Sequence, residues 1–215
     1  FETRLLAKRN IATVLRAELS RPAYRPTGIA IGTVTDCYQP VERELRLTRA
    51  VIELFHETRH PFALVTKSSG VERDLDLIAP MAAQGLAAVY VTVTTLDAGL
   101  ARTLEPRAAA PHRRLRTIRA LAAQGVPVGV SVSPVIPFVN EPELERVLEA
   151  AAEAGTASET ASASATGVSP DSASISSVWP LPATPAIPTI SPARTAMFDS
   201  SVDDSPCVAS TPPLR

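Results

Sequence analysis

Four short runs rich in β-branched residues, at 29–35, 62–66, 89–95 and 126–132, constrain this chain more than any other feature. Each is a continuous or nearly continuous apolar stretch, the pattern of a strand buried on both faces. Helical patterns lie between them. Residues 10–19 place Ile11, Val14, Leu15 and Leu19 on one stripe, with Asn10 as N-cap. Residues 42–58 set Leu45, Leu47, Val51, Ile52, Leu54 and Phe55 on a broad apolar face, and a shorter helix over 74–84 ends at Gly85. Residues 111–124 turn Leu115, Ile118 and Leu121 inward and stop at Gly125, whereas 141–154 begin with Pro142 in the first turn and close on Gly155. Strand and helix alternate with short links, which predicts an α/β fold with parallel strands. An open doubly wound sheet and a (β/α) barrel satisfy this periodicity equally.

In either architecture a site forms at the C-terminal ends of the strands. Those ends are polar here: Thr33-Val34-Thr35-Asp36-Cys37-Tyr38-Gln39-Pro40, Thr66-Lys67-Ser68-Ser69, Thr92-Val93-Thr94-Thr95-Leu96-Asp97 and Ser131-Val132-Ser133-Pro134. The plain reading of the Thr and Asp residues is helix capping. Lys67 is not a capping residue, and capping does not account for the whole set.

His56-Glu57-Thr58-Arg59-His60 is a literal H-E-x-x-H, in which two His one helical turn apart bind zinc and Glu activates water. A zinc-dependent hydrolase is therefore an alternative function. Against it, His60 precedes Pro61, which pushes it out of the helical region, and His112 is the sole remaining histidine. The basic run His112-Arg113-Arg114-Leu115-Arg116, continued by Arg119, could contact phosphates, but reads better as the solvated face of an amphipathic helix with no interleaved aromatic residue to stack on bases.

The chain has two unlike pieces. Of the 60 residues from 156 to 215, 39 are Ser, Ala, Pro or Thr, a low-complexity tail expected to be disordered or the product of a shifted reading frame. Residues 1–155 carry a net charge of +2 and the tail −3, so neither attracts nucleic acid or a membrane by charge alone. No apolar run approaches the roughly 18 to 20 residues that span a bilayer. The opening Phe1-Glu2-Thr3-Arg4 has no signal-peptide pattern, and two distant cysteines, Cys37 and Cys207, make no disulfide framework. A reducing, cytoplasmic setting is the expectation. The first residue is not Met and the last quarter lacks a foldable pattern, so the chain is expected to be a piece of something longer.

Thr35-Asp36-x-Tyr38-Gln39-Pro40-x-Glu42, Val65-Thr66-Lys67-Ser68, Val93-Thr94-Thr95-Leu96-Asp97, Leu104-Glu105-Pro106-Arg107-Ala108 and Pro134-Val135-Ile136-Pro137 follow one another in this order. The set resembles radical S-adenosylmethionine (radical SAM) proteins of the branch similar to spore photoproduct lyase, over residues 1–155. The resemblance implies a partial (β/α) barrel of the TIM-barrel-like type. It also implies a 4Fe–4S cluster held by three cysteines, which reduces S-adenosylmethionine to a 5′-deoxyadenosyl radical that abstracts hydrogen from a substrate. On this resemblance Lys67 meets the carboxylate or ribose of S-adenosylmethionine, and Thr92, with Thr94 one step further along the strand, is aimed at the ribose. Ser133 sits near the adenine or ribose. Asp36 and Tyr38 hold the methionine amino group or line the substrate pocket, and Arg107 meets the carboxylate or shapes its loop by an ion pair.

Two departures from the family pattern matter. The cluster-binding cysteine motif is absent, and without three thiolates the iron is not held, so these 215 residues alone are expected not to perform radical chemistry. The resemblance also stops near Gly155, where another strand is due and the tail begins instead. The expected partners are an unidentified substrate and a reductant for the cluster. Nucleic acid enters only by analogy with the named relative. A non-catalytic α/β module binding a nucleotide-like ligand at the hydroxyl-lined mouth is a further alternative.

Overall fold

The computed structural model describes residues 4–156, 161–165 and 208–210. Its centre is a five-stranded parallel sheet of β2 (Ile29–Ile31), β3 (Phe62–Thr66), β4 (Ala87–Thr92), β5 (Val128–Val135) and β6 (Ala161–Ala165), in that spatial order. A separate short strand, β1 (Arg4–Leu6), pairs antiparallel with β7 (Val208–Ser210). Spatial order in the main sheet follows chain order, so there is no point at which the strand order reverses, as a doubly wound sheet requires. The sheet is an arc of a (β/α) barrel, and among the described residues it does not close.

The helices are α1 (Ile11–Leu19), α2 (Glu42–Leu45), α3 (Leu47–Thr58), α4 (Leu75–Ala82), α5 (Ala98–Leu104), α6 (Pro111–Ala123) and α7 (Leu144–Ala154). Contacts of α1 with α3, α3 with α4, and α6 with α7 give a row that follows the strands. The core lies between this row and one face of the sheet. Phe62 and Leu64 of β3, Val89 and Val91 of β4, and Val128, Val130 and Val132 of β5 meet Ile52, Phe55, Ile78, Ile118, Leu121 and Val147 there. At about 25 cal/mol per Å2 of apolar surface removed from water, this interlayer supplies the dominant drive to fold.

Several elements differ from their sequence patterns for identifiable reasons. The first strand ends at Ile31 rather than at Thr35, because Gly32 takes φ +85° and approaches Val65 so closely that a Cβ would lie 2.1 Å from the Val65 carbonyl oxygen. The single helix expected over 42–58 is two, broken at Arg46, which is left-handed with φ 49°. The Asn10 side chain makes no capping hydrogen bond. Helix α5 carries no clear apolar stripe and includes Gly99, so periodicity does not reveal it. Residues 161–165, within the tail, form the fifth strand, and an Ala/Ser alternation gives no strand signal in sequence. The rest of the expected disordered tail lies outside the described residues. No helix among the described residues is long and apolar enough to cross a membrane.

Candidate functional site

Strand alternation sorts the polar residues by face. The valines of β4 and β5 at odd and even positions respectively point into the helix-facing core, so Thr92 and Thr94 on one strand and Ser131 on the next share the opposite face. Thr92 is paired in register with Ser131, and Lys67 has the parity of Val65, which lies beside Tyr90 on that same face. Lys67, Thr92 and Thr94 are thus brought together at the C-terminal end of the sheet, and Ser133 lies on β5 just beyond its last pair with β4, where the pairing of β5 with β6 is irregular. Thr92 and Thr94 are buried, and Ser133 is half-buried.

Lys67 is the exposed member of a charged group that continues inward. Its Nζ lies 3.1 Å from Glu105 Oε1. The other oxygen of that carboxylate accepts a hydrogen bond from Thr94 Oγ1 at 2.8 Å and one from Arg114 Nη2 at 2.5 Å. Arg114, 2% exposed, also donates from Nε to the Ala109 carbonyl at 2.6 Å and from Nη1 to the Thr92 carbonyl at 2.9 Å. Burial pushes the Glu105 pKa up, but Arg114, Lys67 and the Thr94 hydroxyl outweigh it and hold the carboxyl below its ordinary range. Glu105 and Arg114 were not among the candidate site residues of the sequence. The signal for Glu105 is the Leu104-Glu105-Pro106-Arg107 segment, in which the resemblance singles out Arg107. Arg107 itself is exposed, and Arg114 is the buried exception in a basic run read as solvated.

Asp36 works as a clamp. Its carboxylate accepts from the backbone N–H of Tyr38 (2.9 Å) and of Lys67 (2.7 Å), and from the Thr66 hydroxyl (2.8 Å), tying the loop after β2 to the end of β3. Tyr38 is buried and donates its hydroxyl to Asp74 at 2.9 Å, while the Arg73 guanidinium lies over its ring. Burial and the adjacent Asp74 carboxylate raise the Tyr38 pKa, so the phenol stays protonated. Glu42, the last residue of the Thr35-to-Glu42 motif, accepts from the N–H groups of Leu47 (3.0 Å) and Thr48 (2.9 Å), closing the N-terminus of α3. The side chains of Asp36, Tyr38 and Glu42 therefore fix the loop that shapes the mouth.

Capping explains part of the polar set. Ser68 accepts from Gly70 N–H, and Asp97 from Leu100 N–H. Glu143 receives the Thr95 hydroxyl and the Leu96 N–H, and Asn140, 1% exposed, donates to the Thr94 and Pro134 carbonyls. These bonds join the β4 and β5 loops.

The H-E-x-x-H segment does not assemble a metal site. Helix α3 ends at Thr58 and Arg59 is left-handed, so His56 stays exposed while His60 turns into the protein. Glu57 pairs with Arg16 through both oxygens. The His60 Nδ1 faces the Pro61 carbonyl at 3.0 Å and its Nε2 the Tyr24 hydroxyl at 2.6 Å. A carbonyl can only accept, so Nδ1 carries the proton and Nε2 accepts from Tyr24. Burial lowers the His60 pKa from 6.5, so as pH falls the unfolded chain binds a proton before the folded one does. Stability is therefore expected to drop as pH falls through 6.5 toward the lower folded value. Urea unfolding at a series of pH values checks this: His60→Gln should remove that step, and an unchanged profile would refute it.

The Radical SAM superfamily profile matches residues 4–151. The chain belongs to the radical SAM superfamily. It is 36% identical over 157 residues to the uncharacterized protein Mb2609c of Mycobacterium bovis, covering 72% of this chain and 46% of that protein. It is 28% identical over 115 residues to the uncharacterized protein MJ0683 of Methanocaldococcus jannaschii, covering 54% and 43% of the two chains. This radical SAM chain thus spans less than half the length of these relatives. Among solved structures, a cysteine-to-serine variant of spore photoproduct lyase superposes with a TM-score of 0.54 at 18% identity, covering 67% of this chain and 41% of that one. A doubly substituted variant with bound AdoMet and dinucleoside spore photoproduct gives 0.54 at 16%, covering 72% and 44%. At these identities the likeness concerns the fold.

The superfamily implies S-adenosylmethionine and a 4Fe–4S cluster, and the residues of this radical SAM chain fit the two differently. A partly exposed ammonium beside a row of hydroxyls suits an anionic, ribose-bearing ligand. The cluster needs three thiolates, whereas the chain has two cysteines. Burial, the first cause, and the Asp36 charge raise the Cys37 thiol pKa, which opposes the thiolate. Among the described residues no group of three His, Cys, Asp or Glu side chains could hold a metal ion.

Proposed function

We propose that this chain forms the S-adenosylmethionine-binding part of a radical SAM enzyme barrel, with Lys67 as the cation that meets the methionine carboxylate. The observation that carries the reading is the position of Lys67, a partly exposed ammonium on the same sheet face as Thr92 and Thr94. Thr92 and Ser133 are assigned to the ribose and adenine side of the ligand. Thr94 acts through its bond to Glu105, and Asp36 and Tyr38 keep the loop after β2 in place. Arg107, on the loop after α5, is assigned to the carboxylate end of the ligand or to the shape of that loop.

When bound in a complete enzyme, S-adenosylmethionine supplies the 5′-deoxyadenosyl radical for hydrogen abstraction. The residues of this chain bind and orient it. The 4Fe–4S cluster, the reductant and the substrate are proposals about the whole protein, because the two cysteines here do not make a cluster site. A DNA lesion as substrate rests on fold analogy with spore photoproduct lyase. The same cysteine count supports a second reading, a module that binds the nucleotide-like ligand without catalysing its cleavage.

Titration calorimetry of this chain with S-adenosylmethionine tests the reading. Saturable binding is expected, weakened about 10- to 100-fold in Lys67→Ala, the range for losing a hydrogen bond between charged groups. Absence of binding, or equal affinity in the variant, would contradict it.

A further inference from the structure

We propose that Glu105, held by Arg114 and Thr94, is the positioning residue of this site. It aims the Lys67 ammonium at the ligand carboxylate without neutralising it. The inference rests on the reading of Lys67 given above and adds to it the device that makes a lysine on a strand end selective.

Lysine is a compact charge on a flexible four-carbon stem, and left alone it specifies no direction. Around Lys67 everything else is fixed. The guanidinium of Arg114 has Nε, Nη1 and Nη2 each engaged, by the Ala109 carbonyl, the Thr92 carbonyl and Glu105 Oε2. Two of these partners are backbone, so Arg114 is anchored to β4 and to the segment before α6. Glu105 Oε2 is in turn held from two sides, by Arg114 at 2.5 Å and Thr94 at 2.8 Å. The side chains of Arg114 and Glu105 are 2% and 11% exposed, and that of Lys67 is 36% exposed. The rigid end of the group is inside and the movable end faces the mouth.

One carboxylate lies between two cations, so the trio carries one net positive charge, located at its exposed end. Arg114 takes the better share of the carboxylate. Glu105 Oε1 is buried and receives no hydrogen bond, although Lys67 Nζ stands 3.1 Å away, because the angle is not that of a hydrogen bond. Lys67 is therefore held by charge attraction alone, with its N–H donors still available to an incoming anion. An ion pair with full hydrogen-bond geometry would instead commit at least one of the three ammonium donors to Glu105. Replacing Glu105 by Gln removes the attraction that aims Nζ, while the amide oxygen can still receive Arg114 and Thr94.

The test compares S-adenosylmethionine with methylthioadenosine, which keeps the nucleoside and lacks the amino acid carboxylate. In this chain the wild type should prefer S-adenosylmethionine. Glu105→Gln should lose about tenfold in affinity for it, within the range of coupling between residues in contact, and little for methylthioadenosine. In a Lys67→Ala background the same substitution should have no further effect. Thr94→Val, which removes one of the two bonds holding Oε2, should act in the same direction and more weakly, and it keeps the test open if Glu105→Gln does not fold. Equal weakening of both ligands, effects that add to those of Lys67→Ala, or no effect in either variant would overturn the positioning role. Failure of the wild type to bind S-adenosylmethionine would instead overturn the reading on which it rests, and the inference with it.

Discussion

Asp74→Ala should destabilise the folded chain by about 3 to 5 kcal/mol at neutral pH, the cost of removing one partner from a buried charged group. Asp74 is fully buried and joins three elements. Its Oδ1 accepts from Arg49 on α3 at 3.0 Å and from Arg73 Nε at 3.0 Å, and its Oδ2 accepts from Arg73 Nη2 at 2.9 Å and from the Tyr38 hydroxyl at 2.9 Å. Truncation leaves the buried Tyr38 hydroxyl without an acceptor, costing about 1 to 3 kcal/mol by itself. Arg49 and Arg73 are partly solvated and also contact Asp76 and Glu42, which keeps the total within the stated range. Asp74→Asn, which retains acceptor capacity, should cost less. Urea unfolding monitored by circular dichroism checks both, and a loss below about 1 kcal/mol for the alanine variant would show that the network is dispensable.

Arg114→Leu should have a comparable effect, again about 3 to 5 kcal/mol. It leaves the buried Glu105 carboxylate with only Thr94 and Lys67 as partners and deprives the Thr92 and Ala109 carbonyls of a donor. The diagnostic feature is non-additivity. Removing both charges in Arg114→Leu/Glu105→Leu should recover part of the loss, because no uncompensated charge remains buried. A double variant as unstable as the sum of the singles would mean that the cost lies in packing and in the two carbonyls. His112, Arg116 and Arg119, from the same basic run, are exposed, and alanine at those positions should change stability by no more than about 0.5 kcal/mol.

The contrast within that run shows where sequence reading succeeds. Strand β3 is found residue for residue, because Phe62 to Thr66 is continuously apolar up to its last residue and begins directly after a proline. The pattern also marks the stripe of α6, since Ile118 and Leu121 recur at helical spacing. Arg114 lies on that same stripe, but a charged letter reads as surface unless its partner is known. The partner, Glu105, is nine residues away on another element, and periodicity carries no information about such pairings. The polar strand ends did mark Lys67, Thr92, Thr94 and Ser133 as residues of one mouth, because the C-terminal ends of parallel strands lie at one end of the sheet. They did not show that the Asp36 and Tyr38 side chains are engaged in holding the loop, since that depends on the approach of β3 and of the turn at Ser69–Asp74. The helix break at Arg46 has a related cause, because Glu42 reaches forward to the N–H groups of Leu47 and Thr48 and starts a new helix there.

The most direct test of the central claim is a crystal structure of this chain with S-adenosylmethionine bound. The account predicts the methionine carboxylate within about 2.7 to 3.2 Å of Lys67 Nζ, the ribose beside Thr92 or Ser133, and Glu105 still bonded to Arg114. The ligand elsewhere on the protein, or bound with its carboxylate away from Lys67, would contradict it.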